Sequence, residues 1–165
     1  MKVKVRNLIL AAALVAMPAF AEDVSFKGRT LDVDGGQEAR PILHMTGTQY
    51  VLPRSQEQLV NQAQACLAGQ DGIVVESTDA AQGLVVARIA TAFRASFATQ
   101  TLRSRLDLTV GEGYFQLAET ELALAQASED GSASYVPLVQ DGGLWEKGLE
   151  ALIQTENKLV DCLYK

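Results

Sequence analysis

The sequence predicts an α+β domain, an antiparallel sheet of about four to six strands with two helices packed on one face. Three observations carry this. Ile73 to Gln126 reads as a meander of apolar segments separated by turn residues. A helical pattern precedes that block from Ser55, and another follows it from Leu144. Turn-rich stretches such as Asp32-Val33-Asp34-Gly35-Gly36 and Ala127 to Gly143 lie outside these elements.

The meander divides into Ile73–Thr78, Leu84–Phe93, Thr101–Val110 and Tyr114–Gln126. In the third segment Leu102, Ser104, Leu106, Leu108 and Val110 alternate with Thr101, Arg103, Arg105, Asp107 and Thr109. Period-two alternation marks a strand with one buried and one wet face. A three-residue Gly111-Glu112-Gly113 loop would set Val110 against Tyr114 and Leu102 against Leu122. That register places Arg105 opposite Glu119 and Arg103 opposite Glu121, and it leaves Phe115 and Leu117 on the outer face. The second segment is more apolar and reads as an interior strand. Val85, Ala87, Ile89, Thr91 and Phe93 form one row and Val86, Arg88 and Ala90 the other; if Arg88 faces out with Arg103 and Arg105, the outer face carries a basic cluster. Ala80 to Leu106 holds four arginines and no acidic residue.

Residues 1–21 read as an export signal. Lys2, Lys4 and Arg6 precede the apolar run Leu8–Met17, and Ala19-Phe20-Ala21 is a small-x-small cleavage site. The run is shorter than the ~20 residues a membrane-spanning helix needs, so no transmembrane segment is expected after cleavage. The expected location is periplasmic or secreted. Removal of 21 of the 165 residues leaves 144, the size of one domain. Three of the 14 basic residues lie in the leader and all 20 acidic residues lie beyond it, so the processed chain has 11 basic against 20 acidic groups, a net charge of −9. That balance argues against nucleic acid as a partner.

Residues 22–53 are expected to form an extended segment, with edge strands at Pro41–Met45 and Gln49–Leu52, before a single domain over 54–165. His44 is the only histidine, so a metal site there lacks co-ligands. Asp32 and Asp34 begin like a calcium loop but lack its closing Glu. No cofactor and no metal are expected. Ser55-Gln56-Glu57-Gln58 fits a capping box, and Leu59, Ala63, Cys66 and Leu67 recur on one helical face. Tyr135-Val136-Pro137-Leu138 suits a short edge strand. Trp145, Leu149, Leu152, Ile153, Val160 and Leu163 form a stripe that favours core packing of Trp145 over ligand stacking. Cys66 and Cys162 sit near the ends of the two helices; in an oxidising compartment a disulfide is favoured over two buried thiols.

With the elements in this order, the chain resembles the secreted bacterial domain-of-unknown-function family with a TBP-like fold. The similar segments are Gln58–Ala63, Ala81–Val86 and Val110–Gln116, and the similarity covers about Pro53 to Tyr164. The chain departs from that pattern in having no aromatic residue near the end of the first helix and no basic residue after Tyr114-Phe115. The resemblance implies a curved antiparallel sheet backed by two helices. It implies no activity.

The function expected is a non-catalytic binding module of the envelope. Arg88, Arg103 and Arg105, flanked by Phe115 and Leu117, would hold an envelope protein or an anionic ligand. The opposing reading is that Glu119 and Glu121 simply neutralise the arginines. An assembly component that adds edge strands to a partner is the alternative. A hydrolytic enzyme is less favoured, because no nucleophile stands beside a base and the paired carboxylates Glu119 and Glu121 would lie on a solvated face.

Overall fold

The computed structural model describes residues 21–127 and 132–165. The leader up to Phe20 and residues 128–131 of the Ser/Gly/Asp-rich loop lie outside them. Strands β1 (Ala21–Phe26), β2 (Arg29–Asp34) and β3 (Ile42–Val51) precede helix α1 (Gln56–Ala68). Strands β4 (Ile73–Asp79), β5 (Leu84–Ala95), β6 (Ala98–Gly111), β7 (Tyr114–Ala127) and β8 (Ala133–Pro137) follow, and α2 (Leu144–Leu163) closes the chain.

All eight strands form one antiparallel sheet in the order β1-β2-β3-β7-β6-β5-β4, with β8 also paired to β7. The sheet is larger than expected because residues 22–53 are not a segment beside the domain. They supply three strands, and β3 is interior, running as one ten-residue strand between β2 and β7. Asp32 and Asp34 belong to β2 rather than to a turn. Arg94 to Gln100, expected as a turn, is mostly strand, and only Ser96 and Phe97 make the bend.

The meander forms because its apolar rows meet the helices. Val85, Ala87, Ile89 and Phe93 of β5 are buried with Leu102, Leu106, Leu108 and Val110 of β6. Helix α1 lies against β4, β5 and β6, and α2 against β5, β6 and α1. The capping box is present: Ser55 Oγ accepts from the Gln58 N–H, and Gln58 Oε1 accepts from the Ser55 N–H. Leu149, Leu152, Ile153, Val160 and Leu163 of α2 are all buried. Cys66 and Cys162 are bonded, with their Cα atoms 6.0 Å apart. Beside the bridge, Arg54 Nη1, just before α1, donates to the Leu163 carbonyl at 2.9 Å, and Gln62 Nε2 of α1 donates to the Cys162 carbonyl at 3.2 Å, so both cap the last turn of α2.

The sheet curls around α2. While β5 and β6 pack on that helix from one side, the β1–β2 hairpin reaches it from the other: the Phe26 ring lies 5.2 Å from that of Trp145, Lys27 pairs with Glu150, and Arg29 Nε donates to Glu156 Oε2 at 2.9 Å. Trp145 therefore packs against the core edge, as its place in the stripe predicted.

The β6–β7 hairpin corrects the expected register. Its loop is the two residues Glu112 and Gly113, with Gly113 at φ 78°, so Gly111 faces Tyr114 and Val110 faces Phe115. This one-residue shift turns β7 over relative to the expectation. Phe115 and Leu117 are wholly buried in the core, Phe115 stacked on Tyr50 with centroids 5.0 Å apart. Glu119 follows them inward and is fully buried. A bulge then restores the later parity: Glu121 takes φ 51°, the register shifts between Arg103 and Arg105, and Leu122 returns to the core.

Gly83 opens β5 at φ 64°, and a Cβ there would meet the Val110 carbonyl oxygen at 2.0 Å. That oxygen cannot retreat cheaply, because the Val110 N–H is bonded to the Gly83 carbonyl at 2.7 Å. Gly83→Ala combines left-handed strain with a backbone clash and is expected to cost about 2 kcal/mol or more in urea unfolding. A loss under about 0.5 kcal/mol would show that the β5 entrance relaxes freely.

Candidate binding face

Both helices pack on one face of the sheet, which leaves the other face as the place where polar side chains gather. Arg88 of β5 and Arg105 of β6 are direct cross-strand partners, a repulsive pairing that needs acids beside it. Arg88 receives two. Its Nε donates to Glu76 Oε1 at 3.1 Å and its Nη1 to Glu121 Oε2 at 2.6 Å. The Arg88 hydrogen bond in turn holds the Glu121 carboxyl below the usual carboxylate value. Arg105 Nε donates to Asp107 Oδ1 on its own strand at 3.2 Å.

Arg103 is placed differently. The bulge turns Glu121 toward Arg88 and sets Ala123, not an acid, opposite Arg103. Ala123 and Ala125 are small enough for the arginine to cross β7, and its guanidinium carbon lies 3.8 Å from the centroid of the Tyr135 ring on β8. Among the described residues Arg103 makes no ion pair. The expected pairs Arg105–Glu119 and Arg103–Glu121 therefore do not form: Glu119 is on the other face, and Glu121 is taken by Arg88.

A groove of about 880 Å³ opens beside this stack. It forms because β3 and β8 share one edge of β7, β3 along Tyr114–Thr120 and β8 along Ala123–Ala127. Leu138 joins the two strands, its N–H donating to the Leu122 carbonyl and its carbonyl accepting from the Ile42 N–H. Pro41, Leu43, Pro137 and Val139 give the groove apolar walls, and Arg103, Glu121 and Tyr135 contribute to its lining.

Of the five residues expected on a binding face, Arg88, Arg103 and Arg105 share it. Phe115 and Leu117 do not, since they are core residues. Tyr135 and the groove wall at Pro41 were not anticipated; the signal for Tyr135 was the pair of alanines that lets Arg103 reach it. His44 is exposed on β3, with Nδ1 3.0 Å from Asp32 Oδ2. It does not line the groove, nor does Glu119. Among the described residues no cluster of three or more His, Cys, Asp or Glu side chains is placed to hold a metal, and no helix is long and apolar enough to cross a membrane.

Comparison with solved structures agrees with this architecture. A TBP-like protein from Parabacteroides distasonis superposes with a TM-score of 0.59 at 7% identity, covering 85% of this chain and 96% of that one. The fold is TBP-like. A DUF4468 family protein from Bacteroides ovatus superposes with a TM-score of 0.54 at 9% identity, covering 87% and 91%. No protein-family model and no curated protein matches the chain. At these identities the likeness speaks for the TBP-like fold alone. That fold is what the resemblance of Gln58–Ala63, Ala81–Val86 and Val110–Gln116 implied.

Proposed function

We propose that this TBP-like protein is an exported, non-catalytic binding module of the bacterial envelope, and that an anionic group of its partner or ligand meets Arg103. One observation carries the reading. Of the three arginines gathered on the outer face, Arg88 and Arg105 already have carboxylate partners, whereas Arg103 is held on an aromatic ring at the side of a groove with no carboxylate in ion-pair contact among the described residues. A stacked guanidinium keeps its N–H edge free for a carboxylate or phosphate. The Cys66–Cys162 bond supports an oxidising compartment.

The test is retention of envelope components on immobilised protein, compared across the parent, Arg103→Glu and Arg105→Glu. The expected result is a component retained by the parent and by Arg105→Glu but lost with Arg103→Glu. Equal retention by all three would sink the reading, because the arginines would then be only a charge ladder.

A further inference from the structure

The groove has a definite chemistry, and it narrows the ligand. Its walls at Pro41, Leu43, Pro137 and Val139 are apolar. Its volume of about 880 Å³ lies within the range of small-molecule sites, roughly 300–1,000 Å³. Among the described residues its lining has one cation, Arg103, in no ion-pair contact with a carboxylate, and one face of that guanidinium is occupied by Tyr135. The remaining donors lie in the guanidinium plane, where they match the two oxygens of one carboxylate. Glu121 borders the same groove. Its charge is held by Arg88, yet it still opposes a second negative group on the ligand, which disfavours polyanions.

We propose that this groove binds a monocarboxylate with an extended apolar body, its carboxylate forked by Arg103 and its apolar part along Pro41, Leu43, Pro137 and Val139. This rests on the reading of the Arg103 face as a binding surface and adds the class of ligand. The apolar walls supply affinity by burial, and the single guanidinium supplies selectivity for the acid over its neutral analogue.

The experiment uses the purified protein with its disulfide intact and two probes, dodecanoate below its micelle threshold and dodecanol. Amide chemical shifts locate binding, and titration gives Kd. Dodecanoate is expected to saturate one site, shifting Ala123, Val136 and Val139, and to bind about tenfold or more tightly than dodecanol. Arg103→Gln is expected to remove that preference, while Arg94→Gln, at the far end of β5, leaves it unchanged. Equal binding of acid and alcohol by the parent overturns the proposal without recourse to any variant. So does dodecanoate binding that Arg103→Gln leaves unaltered, shifts confined to other regions, or no binding up to about 1 mM. If dodecanoate fails while Arg103→Glu still abolishes envelope retention, the ligand class falls and the binding face stands. If retention is also insensitive to Arg103, both fall.

Discussion

Replacing Cys66 and Cys162 together by alanine is expected to destabilise the protein by about 4 kcal/mol, the largest effect foreseen for any change in the chain. The bridge joins residues 96 apart in sequence, so breaking it releases a loop that spans most, though not all, of the described domain in the unfolded state. In the chain-entropy account a loop of ~100 residues contributes about 4.7 kcal/mol, and removal of native bridges costs about 2–5 kcal/mol. The native geometry should change little, because α1 and α2 are already tied by Arg54 and Gln62 and by their shared burial against β5 and β6. The denaturant m-value should rise, since an uncrosslinked unfolded chain exposes more surface. Urea unfolding of the oxidised parent and the double variant measures both quantities. A loss below about 1 kcal/mol with an unchanged m-value would show that the crosslink does not act through the unfolded chain. Because the groove lies on the face opposite the helices, binding at temperatures well below the melt should survive the substitution.

Glu119→Gln is expected to act in the opposite direction at neutral pH. Glu119 is inserted from β7 into the core, and neither carboxyl oxygen has a hydrogen-bond donor among the described residues. Facing it are Ser104 of β6, whose hydroxyl offsets part of the cost of a charge there, and Glu156 of α2, which is bonded to Arg29 of β2 and has a second oxygen without a donor; Asp107 of β6 adds a weaker negative charge. Burial, then the Glu156 charge, pushes the Glu119 carboxyl well above its usual value. Burial also raises Glu156, against the opposing pull of Arg29. The sign follows from linkage. Below the ordinary carboxylate pKa both folded and unfolded chains hold the Glu119 proton, and its contribution to stability is complete. As pH rises, the unfolded chain gives up the proton while the folded chain keeps it, so stability falls until pH passes the raised folded value. One such proton gives a slope of at most about 1.4 kcal/mol per pH unit. Glu119→Gln removes this slope, and its amide can donate to the unpaired Glu156 oxygen. The variant should match the parent near pH 4 and exceed it in stability at pH 7, as read by chemical denaturation across that range. Parallel pH profiles for parent and variant would mean that Glu119 is ionised in the folded state.

The pattern of the chain made most of the central fold readable. The period-two rows of β5 and β6 and the Ser55 capping box depend on neighbouring residues, and local physics is enough to read them. The β6–β7 register was not readable in the same way. The leucines alternate identically whether the loop has two or three residues, and opposite charges at Arg103, Arg105, Glu119 and Glu121 gave the wrong choice apparent support. The contrary sign was present in Phe115 and Leu117, two large apolar side chains that the three-residue loop would have left in water. Burying them together with Leu122 requires an odd spacing along β7, hence the bulge at Glu121. Residues 22–53 were harder because β3, through which β1 and β2 join the sheet, pairs with β7, some 70 residues distant, and only that pairing makes β3 interior.

The candidate site follows the same division. The sequence by itself determined the elements from Ser55 onward, the outward row of Arg88, Arg103 and Arg105, and the positions of two cysteines close enough to join once both helices share a face. These follow from periodicity and capping, which act over a few residues. Tertiary structure decided which arginine is unmatched. A single bulge assigned Glu121 to Arg88 and left Arg103 to Tyr135, and the meeting of β3 and β8 along one edge of β7 made the groove beside it. Those outcomes depend on strand register and on partners brought together from distant parts of the chain, where a shift of one residue exchanges the faces of a strand.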